Sequence, residues 1–442
     1  MSSTQSPVYI AGLGIVSPLG ASVETTFLAL RANAAAVAPL RIFPVQQQPS
    51  LPVGQVEDLR GNSHLPRAHR LGLLAAKQAM EGNACSLDAV IVGSTTGGIS
   101  QTEELLAEKN EHAGLYQYHG LSTVAETIGD ELCCTGELLT VSTACSSGTT
   151  AISMAGKMLA SGKAEWVLAG GVDSLCLLTY YGFHSLQLVD KKGSRPFDKT
   201  REGMSVAEGA AFLLLTNQQP DNSHGILLGS GLSCDAYHCA APHPDGTVAQ
   251  AAMRKAMDDA GVGVDTVDYI NLHGTGTPEN DLAESKAVRR LFDPVPSLSS
   301  IKGLSGHGLA ASGAIEAVVS AICLKHDFLP ANFGCKDADP ACGLQPLSLP
   351  VEQSVTTILS NSFGFGGNNA CLVLSKTEKE KESETEEAVP LSIIGKSCIT
   401  GAGHTMDSMG CFFTLKSMAG MLDSKSITER LPARSIRRMK RF

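Results

Sequence analysis

The chain has 442 residues, 43% of them hydrophobic and 18% charged, with a formal net charge of -10. That length leaves room for two or three domains or one large double domain, and the composition is that of an ordinary soluble globular protein, which excludes a disordered one. The acidic balance leaves no domain-wide positive field and so excludes nucleic acid as a general partner.

No apolar run approaches the roughly 18 residues of a membrane span. The opening residues 1–7 lack the basic and apolar regions of a secretory signal. The 13 cysteines show no Cys-x-x-Cys spacing, so they read as reduced thiols of a cytosolic protein and not as a disulfide or metal framework. The only close pairs, Cys133 with Cys134 and Cys234 with Cys239, resemble neither a zinc nor a disulfide framework.

Residues 8–13 read as a strand, followed by a helix at 25–31. Gly12 and Gly14 lack the third glycine and the downstream acid of a dinucleotide fingerprint, so they read as a tight strand-to-helix turn. Residues 40–64 are loop. Arg67, His69 and Arg70 open an amphipathic helix that runs to about Glu81. Residues 88–93 form a buried strand that passes into Ser94, Thr95, Thr96 and a glycine pair, and 166–171 repeat that pattern before Val172 and Asp173. This alternation of strands and helices predicts a largely parallel sheet covered on both faces.

Leu138, Leu139 and Val141 read as a buried strand end, and apolar residues at helical spacing run from Ala151 to Leu159. Between them lies Cys145, set at or just before the first turn of a helix. There the free N–H groups and the helix dipole favour a thiolate, and Ala144, Ser146, Ser147 and Gly148 leave room for an acyl group. Taken alone, a buried cysteine is more often an inert small hydrophobe than a nucleophile, so its partners decide.

Residues 194–209 are too polar and glycine-rich for an ordinary core. Strands follow at 210–215 and 225–231, with a helix at 249–260, a strand at 267–272, helices at 281–291 and 312–325, and strands near 355–360 and 370–374. His273 leaves a strand end into a glycine-threonine loop containing Thr275 and Thr277. His307 lies among small residues before a helix, with Lys302 five residues back and Glu316 nine on. Residues 361–369 alternate phenylalanine and glycine around Phe365, a backbone able to turn N–H groups in unusual directions. After Lys376 the composition becomes almost purely charged, a solvated linker. Residues 391–403 then match 8–20 in register.

A cysteine at a helix start, two histidines, a lysine and a glycine-rich amide donor together describe acyl-thioester chemistry. The Thr-Ala-Cys-Ser-Ser-Gly around Cys145, the Asn-Leu-His-Gly-Thr-Gly-Thr-Pro around His273, the Gly-His at 306–307 and the Asn-Ser-Phe-Gly-Phe-Gly-Gly-Asn-Asn at 361–369 resemble, in order and spacing, the β-ketoacyl synthases. Among these condensing enzymes of the thiolase superfamily, the chain looks like the elongating, Cys-His-His type.

The resemblance implies an α/β fold, a thiolase-like five-layer α-β-α-β-α sandwich made of two similar halves. Those halves are expected at 1–235 and 236–376, with a charged linker at 377–390 and the truncated start of a second synthase-like copy at 391–442. It implies that Cys145 carries the acyl chain, that His273 and His307 stabilise an enolate, and that Lys302 orients the His307 region through a charge pair with Glu316. The backbone N–H of Phe365 would meet an oxyanion while its ring gates the acyl pocket.

Thr275 and Thr277 would hold the phosphopantetheine arm, Thr95 and Thr96 would stand near the end of a roomy acyl pocket, and Arg67 and Arg70 would dock an acidic acyl carrier protein. No cofactor or metal is implied, because phosphopantetheine arrives on the carrier. The working unit would be a homodimer, or a heterodimer with a chain-length-factor-like homologue. The alternative reading is a non-catalytic chain-length-factor-like subunit, which the intact Cys145 and both histidines argue against.

Overall fold

The computed structural model describes residues 6–46, 49–57, 59 and 64–378. The linker from 379 onward and the repeat-like stretch 391–442 lie outside the described residues.

Ten strands join one sheet: β1 (Tyr9–Val16), β2 (Ala89–Gly93), β3 (Glu137–Val141), β4 (Trp166–Asp173), β5 (Gly209–Thr216), β6 (Ile226–Cys234), β7 (Tyr269–Asn271), β8 (Ser297–Ser299), β9 (Thr357–Gly364) and β10 (Asn368–Ser375). Their spatial order is β8-β7-β9-β10-β6-β1-β5-β4-β2-β3. Counted outward from the junction, each half of five therefore runs first, fifth, fourth, second, third. β2 pairs in parallel with β3 and β4, and β7 with β8 and β9, while β4–β5, β5–β1, β9–β10 and β10–β6 are antiparallel. The sheet is thus mixed and not largely parallel, because β4 reaches β5, and β9 reaches β10, without the helical crossover that parallel neighbours need.

Within the sheet the halves are joined through β1 and β6, at the ladder pair Tyr9↔Ile226. β6 pairs along its length with β10, so the division falls in the loop between Thr216 and Ile226 and not at 235/236. Helices complete five layers. α1 (Arg67–Met80) and α2 (Ser122–Glu131) cover the outer face of the first half, and α4 (Thr247–Ala260) and α5 (Pro278–Leu291) that of the second. α3 (Ser147–Ala160) and α6 (Ser312–His326) lie between, each touching strands of both halves.

Gly12 and Gly14 sit inside β1 and do not make the expected turn. A Cβ at Gly14 would stand 1.8 Å from the Ala75 carbonyl oxygen, so these glycines let α1 lie directly on the strand. Gly231 of β6 does the same for α4, where a Cβ would stand 2.1 Å from the Ala252 oxygen. The two halves therefore share a packing device as well as a strand order.

α6 is buried at every position from Ser312 to Leu324. The stretch Leu309–His326, 18 residues of mean hydropathy 1.3, is long and apolar enough to span a membrane, contrary to the reading of the sequence, yet 89% of it is enclosed by protein. An all-round apolar helix buried between the two halves of the fold passes the same test. β3 also departs from expectation. It is the edge of the sheet, with Glu137 and Leu138 exposed.

Candidate active site

Cys145 lies in a 3-10 turn, Ala144–Ser146, leading into α3. Ala144 takes φ 53°, a strained value for a residue with a side chain, and the turn is held by its own hydroxyls. Ser146 Oγ donates to the Thr143 carbonyl at 2.8 Å, Ser147 Oγ to the Ala144 carbonyl at 2.6 Å, and Thr143 N–H to Ser147 Oγ at 2.9 Å. Small residues are needed here because a Cβ on Gly93 would stand 2.5 Å from the Gly148 nitrogen.

Burial pushes the Cys145 thiol up to about 11, against the opposing pull of the Phe365 amide, Lys302 and its own amide. The sequence points to a thiolate at the helix start, whereas burial favours the thiol in the resting chain.

β7 ends just before His273, and α5 returns Glu284 beneath it. Glu284 accepts the N–H groups of His273 and Gly274, each at 2.8 Å, and the Asn361 amide at 3.1 Å. Lys302 donates to the His273 carbonyl at 2.6 Å, lies 3.4 Å from its Nδ1, and contacts the Glu316 carboxylate. His307 Nδ1 meets Ser312 Oγ at 2.7 Å. Its N–H donates to the Ser205 carbonyl at 2.7 Å, and its own carbonyl accepts from Ala207 at 2.8 Å.

The two imidazoles stand edge to face, 5.3 Å between centroids at 84°, and Phe363 lies 5.9 Å from His273. Burial, reinforced by the Lys302 charge, holds both histidines well below the ordinary histidine range, so both are neutral. An ammonium can only donate. Its approach to His273 Nδ1 therefore leaves the proton on Nε2, as an N–H donor.

The turn after β9 closes the site. Gly366 and Gly367 take φ 76° and 78°, and the Phe365 amide is directed at the Cys145 sulfur. A Cβ on Gly364 would stand 2.8 Å from the Thr143 carbonyl oxygen, so this turn lies directly on the one that holds Cys145. Cys145, His273, His307, Lys302, Glu316 and Phe365 are thus brought together from five segments of chain.

Thr275 and Thr277 are buried beside them, with their hydroxyls bonded to each other at 2.8 Å. Thr95 and Thr96 turn both hydroxyls onto Asp173, at 2.5 and 2.9 Å. Other expectations are corrected. Arg67 is not an outward docking cation, because its guanidinium grips the fully buried Glu208 at 2.6 Å and the Val56 carbonyl at 2.5 Å. Arg70 is turned onto the Leu59 carbonyl.

Sequence reasoning missed the buried acids Asp173, Glu208, Glu284 and Asp281. Asp281 accepts from Phe197 N–H at 2.8 Å and Gly276 N–H at 3.2 Å. The excess polarity of residues 194–209 was the available sign of Glu208. No group of histidine, cysteine or acidic side chains among the described residues is arranged to hold a metal.

A buried thiol and two neutral imidazoles, all three felt by the Lys302 charge, where two matching five-strand halves meet, define a thiolase-fold enzyme of acyl transfer. The family described as Beta-ketoacyl synthase, N-terminal domain matches residues 5–220, and Beta-ketoacyl synthase, C-terminal domain matches 224–336. The chain belongs to the β-ketoacyl synthase family.

It is 30% identical to the 3-oxoacyl-[acyl-carrier-protein] synthase 2 of Coxiella burnetii over 406 residues, 84% of this chain and 98% of the relative. Among solved structures it is similar to the ishigamide ketosynthase/chain length factor, with TM-score 0.79 and 29% identity over 84% of this chain and 100% of that one. It is also similar to the ketosynthase ApeO of Xenorhabdus doucetiae, solved in complex with its chain length factor ApeC, with TM-score 0.75 and 33% identity over 84% and 98% of the two chains.

Proposed function

We propose that this enzyme carries out decarboxylative Claisen condensation in fatty-acid, polyene or polyketide elongation, with the following division of labour. Cys145 attacks the acyl thioester of a carrier protein, and the thiol proton ends on the departing carrier thiol. Malonyl-carrier protein then enters, and the Nε2–H groups of His273 and His307 hold the thioester oxygen as carbon dioxide leaves and the enolate forms. The enolate carbon attacks the acyl-Cys145 carbonyl, whose oxyanion takes hydrogen bonds from the amides of Cys145 and Phe365. Collapse expels the Cys145 sulfur, which regains a proton, and releases β-ketoacyl-carrier protein.

The observation that carries this reading is Lys302. From one ammonium it grips Glu316 and the His273 backbone and directs the proton of that ring to Nε2. Thr275 and Thr277 are assigned to the phosphopantetheine arm, and no resident cofactor is assigned. The cytosol is the assigned compartment, supported by free thiols at every described cysteine.

The partner is a second synthase-like chain, identical or of the chain-length-factor kind. The uncovered edge of β3, with Leu138 36% exposed, supports that assignment, as does the ApeO complex. The test is product analysis with acyl-carrier and malonyl-carrier proteins. Formation of β-ketoacyl-carrier protein and carbon dioxide in equal amounts, lost in Cys145→Ala, is expected. Hydrolysis of either carrier with no new carbon–carbon bond contradicts the reading.

A further inference from the structure

We propose that Asp173 is a positioning residue: its carboxylate registers the half of the fold that carries Cys145 against the turn that carries His307. This rests on the condensing chemistry assigned above. Asp173 ends β4 and is 0% exposed. Its Oδ1 accepts from Ser94 Oγ at 3.1 Å, Thr95 N–H at 2.8 Å, Thr96 N–H at 2.8 Å and Thr96 Oγ1 at 2.9 Å. Its Oδ2 accepts from Thr95 Oγ1 at 2.5 Å and from the Ala310 N–H at 2.9 Å.

Five of these donors belong to the first half of the chain. The sixth, Ala310, belongs to the second and stands three residues beyond His307. With backbone N–H groups facing both oxygens, Asp173 accepts at each and cannot be replaced by an amide at no cost.

Ala310 occupies the point where the halves touch. A Cβ on Gly171 would stand 2.5 Å from the Ala310 carbonyl oxygen, and one on Gly148, three residues after Cys145, would stand 2.8 Å from it. The turn Leu309–Ala311 needs holding, because Leu309 takes φ 52°, a left-handed conformation that a side chain disfavours. The backbone of His307 is gripped on one side by Ser205 and Ala207, and the turn that follows it is gripped on the other by Asp173.

Asp173 touches no reacting atom in this scheme and acts through the placement of His307. Acyl transfer to Cys145 relies on the sulfur and the amides of Cys145 and Phe365, whereas decarboxylation relies on His307. Loss of the carboxylate should therefore separate the two half-reactions.

In Asp173→Asn, whichever way the side-chain amide turns, its NH₂ faces backbone N–H donors, those of Thr95 and Thr96 at one oxygen position or that of Ala310 at the other, and at least one buried donor is left unpaired. The experiment follows acyl-Cys145 formation by intact-protein mass and condensation by product, on the full chain with acyl- and malonyl-carrier proteins. Asp173→Asn is expected to acylate Cys145 within about threefold of wild type, to lower kcat for condensation about tenfold or more, and to leave KM for malonyl-carrier protein within about twofold.

Thr95→Val, at a half-buried position, removes one donor from Oδ2. It should give the same separation at smaller size, about fivefold in condensation, and it serves if Asp173→Asn does not fold. Equal losses in both half-reactions, or no loss in either, overturn the assignment. A wild-type chain that fails to acylate Cys145 overturns the condensing reading itself.

Discussion

Lys302 Nζ stands 2.6 Å from the carbonyl oxygen and 3.4 Å from Nδ1 of His273, so one ammonium fixes both the backbone and the tautomer of that histidine. Burial raises the Glu316 carboxyl to about 7 even with Lys302 beside it. Replacing Lys302 by Ala leaves Glu316 either unpaired or protonated. Condensation should fall by about tenfold or more, while acylation of Cys145 changes far less, with a stability loss of about 3 kcal/mol. Half-reaction rates and urea unfolding check this, and a variant that condenses at the wild-type rate contradicts it.

Cys145 rests as a thiol, with its pKa pushed by burial up to about 11. Alkylation by iodoacetamide in the absence of carrier should therefore climb steadily with pH from neutral toward pH 10, with no plateau on the way. A midpoint near or below pH 7 would show that the helix start outweighs burial after all.

Burial also lowers His69, whose Nε2 lies 2.9 Å from Thr123 Oγ1, from 6.5 to about 4. Below pH 6.5 the unfolded chain takes up a proton that the folded chain refuses until about pH 4. The His69 contribution to stability is thus fully present above that window and is lost as pH falls through it, by at most about 1.4 kcal/mol per unit. Burial raises Glu284 and Glu316 to about 7, which acts in the opposite sense, so the comparison must be between variants. The stability gap between wild type and His69→Gln should narrow as pH falls from 7 to 4.5, and a gap that widens contradicts the assignment.

Gly366 takes φ 76° in the same turn whose Phe365 amide faces Cys145. Gly366→Ala costs about 1–2 kcal/mol at that conformation. It should slow acyl transfer to Cys145 several-fold while leaving iodoacetamide alkylation unchanged, because only the former develops an oxyanion. Equal effects on both reactions would mean that Phe365 serves packing alone.

The segments carrying Cys145, His273, His307 and Phe365 were legible because each places a reactive or glycine-rich group at the end of an apolar run, a local pattern. The acids that hold them were not legible. Asp173 and Glu284 look like ordinary solvated acids beside a strand end or within a helix, and only contacts across 137 and 10 or 11 residues of chain reveal them as buried acceptors. Arg67 misled for the same reason in reverse, since its partner Glu208 lies 141 residues away. The antiparallel pairings were hidden because β4 and β5 are joined by the irregular stretch 174–208, in which the single helix Leu177–Ser185 makes no parallel crossover. Gly12 and Gly14 read as turn formers because nothing local shows that α1 lies on them.

The central claim is that Cys145 holds the growing chain and that the two imidazoles act on the incoming malonyl group. Intact-protein mass spectrometry tests it most directly: incubation with an acyl-carrier protein should add one acyl mass at Cys145, and malonyl-carrier protein should then remove it as β-ketoacyl-carrier protein. In His307→Ala the added mass should form and persist. Acyl mass on another residue, or its release from Cys145 by malonyl-carrier protein without either histidine, would contradict the account.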